Sequence, residues 1–402
     1  MISEERQKLV LKNLCIYTEA GINPNGYVVV KDGKIETIGL MESFHEKDWS
    51  GARVIEFPKG MNLIPGFIDI HIHGANDADA MDGTLNSLET MANTLPMEGT
   101  TSFLATTMTQ DVESIEKALS TIGQYIESAD QTGKAEIIGI HLEGPFISEK
   151  RVGAQPIQSV KKPEVALFKK WRKLSNDQIK LVTMAPEEDE NFELVRYLKS
   201  ENIVPSMGHS DAVYEQVLTS IQAGVNHVTH LFNGMRGLHH RDPGVAGAAL
   251  LHSELMAEMI VDGVHIHPEI VKLAFLQKGV NHIILITDSM RAKWLEDGIS
   301  SLGGQKVIVK DGKALLENGS LAGSTLKMID AINNMMNFTG CTLQDVVQMA
   351  SYNPAKQIGV LDKKGSIAKG KDADLVVLDE KNQVMLTICN GQIVYSNGGV
   401  TA

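Results

Sequence analysis

Two histidines close an apolar run in Gly66-Phe67-Ile68-Asp69-Ile70-His71-Ile72-His73-Gly74, a place where a folded core rarely wants them. Side chains at i and i+2 of a strand point to the same side, so His71 and His73 present both imidazoles to one small volume. Two converging imidazoles suit a metal such as zinc or iron, with Asp69 on the same side as a supporting acceptor. A lone His-x-His pair reads more readily as a solvated surface strand. Further candidate strand ends shift that balance: His141 and Glu143, His209, His230 followed by Asn233, Asp262 with His265 and His267, and Asp288. A random placement of 13 histidines would not set so many of them at such ends.

For these ends to meet, the strands that carry them must lie parallel and adjacent. The middle of the chain alternates strand-like and helix-like segments, the pattern of a parallel α/β sheet. Strands are expected at 67–73, 101–105, 136–142, 180–184, 203–207, 227–231, 256–261 and 282–287, with helical periodicity at 85–95, 112–126, 211–222 and 268–277 among others. Eight such units match a closed (β/α)8 barrel, whose usual size is roughly 250 residues and whose active sites sit at the C-terminal strand ends. An open doubly wound sheet competes, but no Gly-rich phosphate-binding turn follows the first strand.

Both flanks are β-rich. Strands are expected at 9–17, 27–30 and 34–38 around the turn Asp32-Gly33, and at 374–378, 384–389 and 392–395 around Asn390-Gly391. Neither flank has enough strands to be stable alone, which favours their pairing. The expected fold class is therefore α/β: a (β/α)8 TIM-type barrel over 61–358, with a small β-sandwich domain built from 1–60 and 359–402. Residues 298–323 read as a hairpin insertion at the active-site face, with strands at 307–309 and 314–316 around Asp311-Gly312. Such a hairpin is either a lid that excludes water or an ordinary surface feature.

The 402 residues carry a formal net charge of -13, which argues against nucleic acid or an anionic membrane as general partners. Cys15, Cys341 and Cys389 show no Cys-x-x-Cys pairing, so neither a disulfide framework nor a thiolate zinc site is expected. Residues 1–8 are charged and lack the apolar stretch of a signal peptide, and no apolar run reaches spanning length. A cytoplasmic location is the expectation.

With these runs the chain resembles the amidohydrolase superfamily, and more closely the N-acetylglucosamine-6-phosphate deacetylase family in its two-metal, Bacillus-like branch. The runs that narrow it are His141-Leu142-Glu143-Gly144-Pro145-Phe146, Met207-Gly208-His209-Ser210, Thr229-His230-Leu231-Phe232-Asn233, Asp262-Gly263-Val264-His265 and Thr287-Asp288-Ser289-Met290. Leu321-Ala322-Gly323-Ser324 and Gly370-Lys371-Asp372-Ala373-Asp374-Leu375 extend the likeness over nearly the whole chain. The resemblance implies that Glu143, His209 and His230 hold one divalent ion and His71 and His73 a second, with Glu143 bridging and Asp288 beside them. Iron and zinc both suit such ligands. Two cations lower the pKa of a shared water and polarise an amide carbonyl; Asp288 would take the water's proton and deliver it to the leaving amine. Asp288 could otherwise be a helix N-cap, although that would not explain its place opposite the ligands.

The implied substrate is an N-acetylated amino-sugar phosphate, cleaved to glucosamine 6-phosphate and acetate in amino-sugar catabolism and cell-wall sugar recycling. By the same resemblance Ala154, Asn233, Gly234, Arg241, His265, Leu321 and Ala322 contact it, the backbone amides of Asn233 and Gly234 and the Arg241 side chain meeting the phosphate. Part of the run 233–244 is expected to cross a homodimer interface. Most relatives carry Ala at Gly234, which leaves a looser backbone contact, and some carry His at Gln155, which removes any imidazole role there. Arg236 reads as part of a solvated loop. N-acetylgalactosamine 6-phosphate or a cyclic amide is the alternative substrate. A non-catalytic scaffold would be expected to have lost ligands, and none is lost here.

Overall fold

The computed structural model describes residues 8–398; residues 1–7, most of the charged stretch 1–8, and residues 399–402 lie outside the described residues. The central sheet contains eight parallel strands, here β1 Phe67–Ile72, β2 Thr100–Thr107, β3 Glu136–Glu143, β4 Ile179–Met184, β5 Val204–Met207, β6 His227–Val228, β7 Met256–Ile260 and β8 Ile283–Ile286. Each pairs in parallel register with the next. Helices cover the outside, so the strands are buried on both faces and read as near-continuous apolar runs. The eight-strand (β/α)8 architecture is the one expected from the alternation of segments.

Period-two alternation sends Ile68, Ile70 and Ile72 outward under the helices, and Asp69, His71 and His73 inward. The helix Val112–Ser128 shows the matching logic on the outer layer. Asp111 caps it by accepting from Ser114 N, and Ile115, Ala118, Leu119, Ile122 and Tyr125 form its buried stripe. Among the described residues no helix is long and apolar enough to cross a membrane.

Closure of the barrel is local. β8 meets β1 through Asp288 N donating to His71 O (2.8 Å) and His73 N donating to Ser289 O (2.9 Å). The residues with chemical potential therefore also form the seam. β6 is shorter than the expected 227–231 because the chain leaves the ladder at His230, whose backbone N donates to the Glu258 carboxylate at 3.1 Å.

Strands from both chain ends form one further sheet. Its order runs Gln392–Ser396, Val384–Cys389, Leu375–Leu378, Asn62–Pro65, Leu9–Thr18, Gly21–Lys31, Lys34–Leu40, with Arg53–Glu56 beside the first half of Leu9–Thr18. Because Leu9–Thr18 bends and pairs with different strands along its two halves, the two wings are one hydrogen-bonded sheet folded around Leu11, Leu14, Val28, Leu63, Leu375 and Ile388. The sheet runs past residue 60, since Asn62–Pro65 pairs with Leu375–Leu378 before the chain enters β1.

The insertion after β8 has three strands, Gly298–Leu302, Gln305–Lys310 and Lys313–Leu316, rather than a two-strand hairpin. Leu302, Val307, Val309 and Leu316 pack onto Met108, Met290 and Ala322, while Ile299 and Ile308 face outward. The first strand differs from the expectation because Gly-Ile-Ser-Ser-Leu has little apolar alternation.

Lys364 ties the terminal sheet to the barrel floor: its Nζ lies 2.7 Å from Asp374 and 2.6 Å from Glu136 at the start of β3. Lys364 and Asp374 are buried, so removing the cation strands a carboxylate in low dielectric. Lys364→Met should cost about 3–5 kcal/mol in urea unfolding, whereas Lys306→Met, at an exposed pair with Glu317, should cost less than about 1 kcal/mol. Equal costs would contradict this reading of the junction.

Candidate metal centre and active site

Six buried side chains converge at the C-terminal mouth of the barrel. His71 lies on β1 and His73 just after it, Glu143 ends β3, His209 and His230 follow β5 and β6, and Asp288 follows β8. Glu143 is central: its Oε1 lies 3.2 Å from Nε2 of both His209 and His230 and 3.5 Å from His71 Nε2, while Oε2 lies 3.3 Å from His73 Nε2. Asp288 Oδ1 stands 3.3 Å from His73 Nε2 and 3.6 Å from His71 Nε2. Two donor groups face this centre, Glu143 with His209 and His230, and His71 with His73 and Asp288, while a third, His71 with His141 and Glu258, lies behind the His71 ring.

The backbone is bent to bring them there. His209, His230 and Asp288 have φ of 48, 30 and 46°, in the left-handed region. For residues with a Cβ each such conformation costs about 1–3 kcal/mol, and such strain gathers at functional sites. No helix begins at Asp288, so it is not an N-cap.

Burial opposes charge on His71, but Asp288, Glu258 and Glu143 outweigh it and push its pKa up to about 9. His73 is raised well above the usual range for the same reason, burial being overcome by Asp288 and Glu143. Burial would raise the Glu143 carboxyl, yet His71, His209, His230 and His73 hold it well below the ordinary range. Asp288 is lowered by His71 and His73 against the same opposition from burial. A positive charge at this centre is thus strongly favoured, and protons supply it when nothing else does.

The donor set fits a divalent cation better than it fits protons alone. His71 Nε2 is buried with no hydrogen-bond partner, and the ring cannot turn away because Nδ1 is held 2.9 Å from Glu258 Oε2. His209 Nδ1 is likewise tied to Arg151 O at 2.8 Å and His73 Nδ1 to Thr106 O at 3.3 Å. Three imidazoles held from behind, with Nε2 facing carboxylate oxygens, suit a zinc or iron site, whereas His230 lacks such a hold, its Nδ1 being buried without a partner.

Residue type had pointed to some groups that do other work. Both nitrogens of His141 are occupied: Nδ1 donates to Ile70 O (3.1 Å) and Nε2 pairs with Thr183 Oγ1 (2.7 Å). Burial and the neighbouring His71 push its pKa well down, so it is a neutral wedge. Asp69 supports Thr287, accepting from its Oγ1 at 2.5 Å, instead of an imidazole; it lies one layer deeper than the ligands, where burial raises its pKa to about 6. The acceptor behind His71 is Glu258, a lone carboxylate in the otherwise apolar strand Met256–Ile260, and that isolation was the sequence signal for it. Gln155 gave no such signal: its Nε2 donates to Glu143 Oε2 at 2.7 Å while its Oε1 accepts from Thr109 N at 2.8 Å.

A cavity of about 320 Å³ opens over the centre, lined by His73, Glu143, Ala154, Asn233, Gly234, His265, Asp288 and Leu321 among others. His265 is oriented by Asp262, 2.6 Å from its Nδ1, and His267 instead caps the helix Pro268–Lys278. Gly234 has φ 55°, and a Cβ there would lie 3.0 Å from His209 Nδ1, so glycine lets this turn rest on a candidate ligand ring. The Asn233 amide, expected to face a phosphate, donates to His230 O at 2.9 Å because the chain turns tightly there. Ala322 is buried beneath the three-stranded insertion and does not line the cavity. Arg241 lies outside the cavity on an exposed loop, its Nη1 2.7 Å from His240, while Arg236 is consumed by Asp242 (2.7 Å) and Asp211 (3.0 Å). A larger cleft of about 740 Å³ at the opposite end of the barrel lacks any comparable cluster among the described residues.

Residues 62–394 match the model of the Amidohydrolase family. A curated N-acetylglucosamine-6-phosphate deacetylase from Bacillus subtilis (strain 168) is 48% identical, the match covering 97% of this chain and 98% of that protein. The crystal structure of N-acetylglucosamine-6-phosphate deacetylase from Thermotoga maritima superposes with a TM-score of 0.85 at 36% identity, over 96% of this chain and 100% of that one. A variant of the Mycobacterium smegmatis enzyme in complex with N-acetyl-D-glucosamine-6-phosphate gives a TM-score of 0.89 at 28% identity, over 97% and 100%.

Metal uptake must displace the protons held by these imidazoles. With His71 pushed up to about 9, its nitrogen is protonated at neutral pH and freed as pH rises. Zinc affinity of the metal-free protein should therefore climb from about pH 6 to 9, with protons released into the buffer. Calorimetry in buffers of differing ionisation enthalpy measures this; a flat affinity with no proton release at neutral pH would contradict the site's electrostatics.

Proposed function

The chain belongs to the amidohydrolase family, and from that premise we propose that it is a metal-dependent deacetylase that hydrolyses N-acetylglucosamine 6-phosphate to glucosamine 6-phosphate and acetate. The observation that carries the reading is the buried constellation of His71, His73, Glu143, His209, His230 and Asp288 at the barrel mouth. Two divalent ions, iron or zinc, are the reading of this donor set: one among Glu143, His209 and His230, the other at His71 and His73 with Glu143 between them and Asp288 alongside. When bound, they would polarise the acetyl carbonyl and acidify a water molecule.

Asp288 is the proton carrier. Its Oδ1 faces the cavity side of the cluster and its carboxyl is held low, so it begins as a base. It takes the proton of the water that adds to the acetyl carbon, then gives it to the amide nitrogen as the C–N bond breaks, so that an amine departs in place of an amide anion. Gln155 and His71 keep Glu143 and Asp288 in register meanwhile. The insertion 298–316 closes one side of the cavity, latched by Gln305 Nε2 donating to Ala154 O at 2.6 Å, which limits water around the reacting amide.

Ala154, Asn233, Gly234, His265 and Leu321 are the substrate wall, with Ala322 supporting it from beneath. Arg241 meets the phosphate in a homodimer, where it would reach the partner's cavity. Exposed Leu238, Leu251, Ile270, Leu273 and Leu276 on the neighbouring loop and helices support such an interface. The phosphorylated sugar and the formal net charge of -13 fit a cytoplasmic enzyme of amino-sugar catabolism and cell-wall sugar recycling.

Amine release from N-acetylglucosamine 6-phosphate tests the reading. Asp288→Asn should lower kcat by about 10²- to 10⁴-fold, and Arg241→Ala should raise KM with little change in kcat. No amine release by wild-type protein at any zinc or iron loading would overturn the assignment, and faster release from the galactosamine epimer would move the substrate to that sugar.

A further inference from the structure

Glu258 is buried at the centre of the barrel and touches a ligand from each of the two donor groups. Its Oε2 accepts from His71 Nδ1 at 2.9 Å and from the backbone N of His230 at 3.1 Å, and its Oε1 lies 3.0 Å from His227 Nε2. His71 and His230 belong to different donor groups. Both are contacted by a single oxygen of one side chain, which lies below the centre on β7 and does not reach the cavity.

We infer that Glu258 is a positioning residue that selects the tautomer of His71 and so makes the His71/His73 position able to hold an ion. The inference rests on the two-metal reading above. The chemistry is direct: a carboxylate can only accept, so the nitrogen facing it must carry the hydrogen. With Nδ1 protonated, the lone pair of His71 sits on Nε2, the buried atom that lacks a hydrogen-bond partner and faces Glu143 and Asp288. At His230 the contact is to the backbone only, where it anchors the left-handed turn without choosing a tautomer. The two sites should therefore respond unequally to loss of Glu258.

His227 makes a conservative substitute possible. Its Nδ1 is buried without a partner, so its ring can change tautomer at no cost in hydrogen bonds. In Glu258→Gln the amide oxygen can keep the His71 and His230 contacts, while the amide nitrogen donates to His227 Nε2. Glu258→Met fills similar space and offers His71 no acceptor.

The test is zinc binding to metal-free protein in competition with a chromophoric chelator, for wild type and both variants. Wild type should bind two ions. Glu258→Met should lose about 10- to 100-fold in affinity for one ion while the other changes little, and Glu258→Gln should recover most of the loss. Wild-type affinity at both sites in Glu258→Met, or equal loss at both, overturns the inference. Wild type that binds no zinc would instead overturn the metal reading itself. If Glu258→Met fails to fold, ¹⁵N spectra of histidine-labelled, zinc-loaded wild type decide: a protonated His71 Nδ1 supports the assignment and an unprotonated one overturns it.

Discussion

One buried carboxylate, Glu143, has four imidazole nitrogens within 3.5 Å. A single carboxylate in low dielectric is costly, and four imidazoles free of protons would leave that cost unmet. The cluster is resolved only by positive charge at its middle. Most other features of the barrel mouth follow from keeping these groups facing one another: the left-handed backbone at His209, His230 and Asp288, the Gln155 clamp, and acceptors behind the imidazoles. The arrangement raises the proton affinity of the imidazoles and lowers that of the carboxylates, which is the electrostatic complement of a cation site.

The same residues also complete the fold. β1 and β8 are joined by backbone hydrogen bonds from Asp288 to His71 and from His73 to Ser289, so the barrel closes through its chemical centre. Burial of Ile68, Ile70 and Ile72 against the helices fixes the pleat of β1, and the pleat aims His71 and His73 inward. Stability and function thus share one seam, while the terminal sheet, pinned by Lys364, and the latched insertion frame the two ends of the barrel.

How much could be read in the sequence depended on the range of the interaction. The eight barrel strands were legible because they are short apolar runs alternating with helical patterns, and six of them run into a histidine or a carboxylate. The six converging side chains were legible for the same reason. Glu258 stood out only as an isolated carboxylate in an apolar strand, and its role, like that of Gln155, was not legible, because the partners lie far away in the chain, His71 and Glu143, and nothing in local spacing names them. Asp69 shows the converse: it shares a face with His71 and His73, but sheet geometry sets it one layer deeper, under Thr287. His141 had the right residue type at a strand end, yet Thr183 and the Ile70 carbonyl occupy both of its nitrogens. The first strand of the insertion and the use of the Asn233 amide within its own turn depended on backbone hydrogen bonding that residue type does not encode.

The proposal on which the rest turns is that Glu143, set among four imidazoles, would be shared by two cations in one pocket. Anomalous diffraction at the zinc edge from crystals of zinc-loaded protein tests it most directly. The account predicts two peaks sharing Glu143, one bounded by His209 and His230 and the other by His71 and His73. A single peak, with His71 and His73 turned away from any ion, would contradict it.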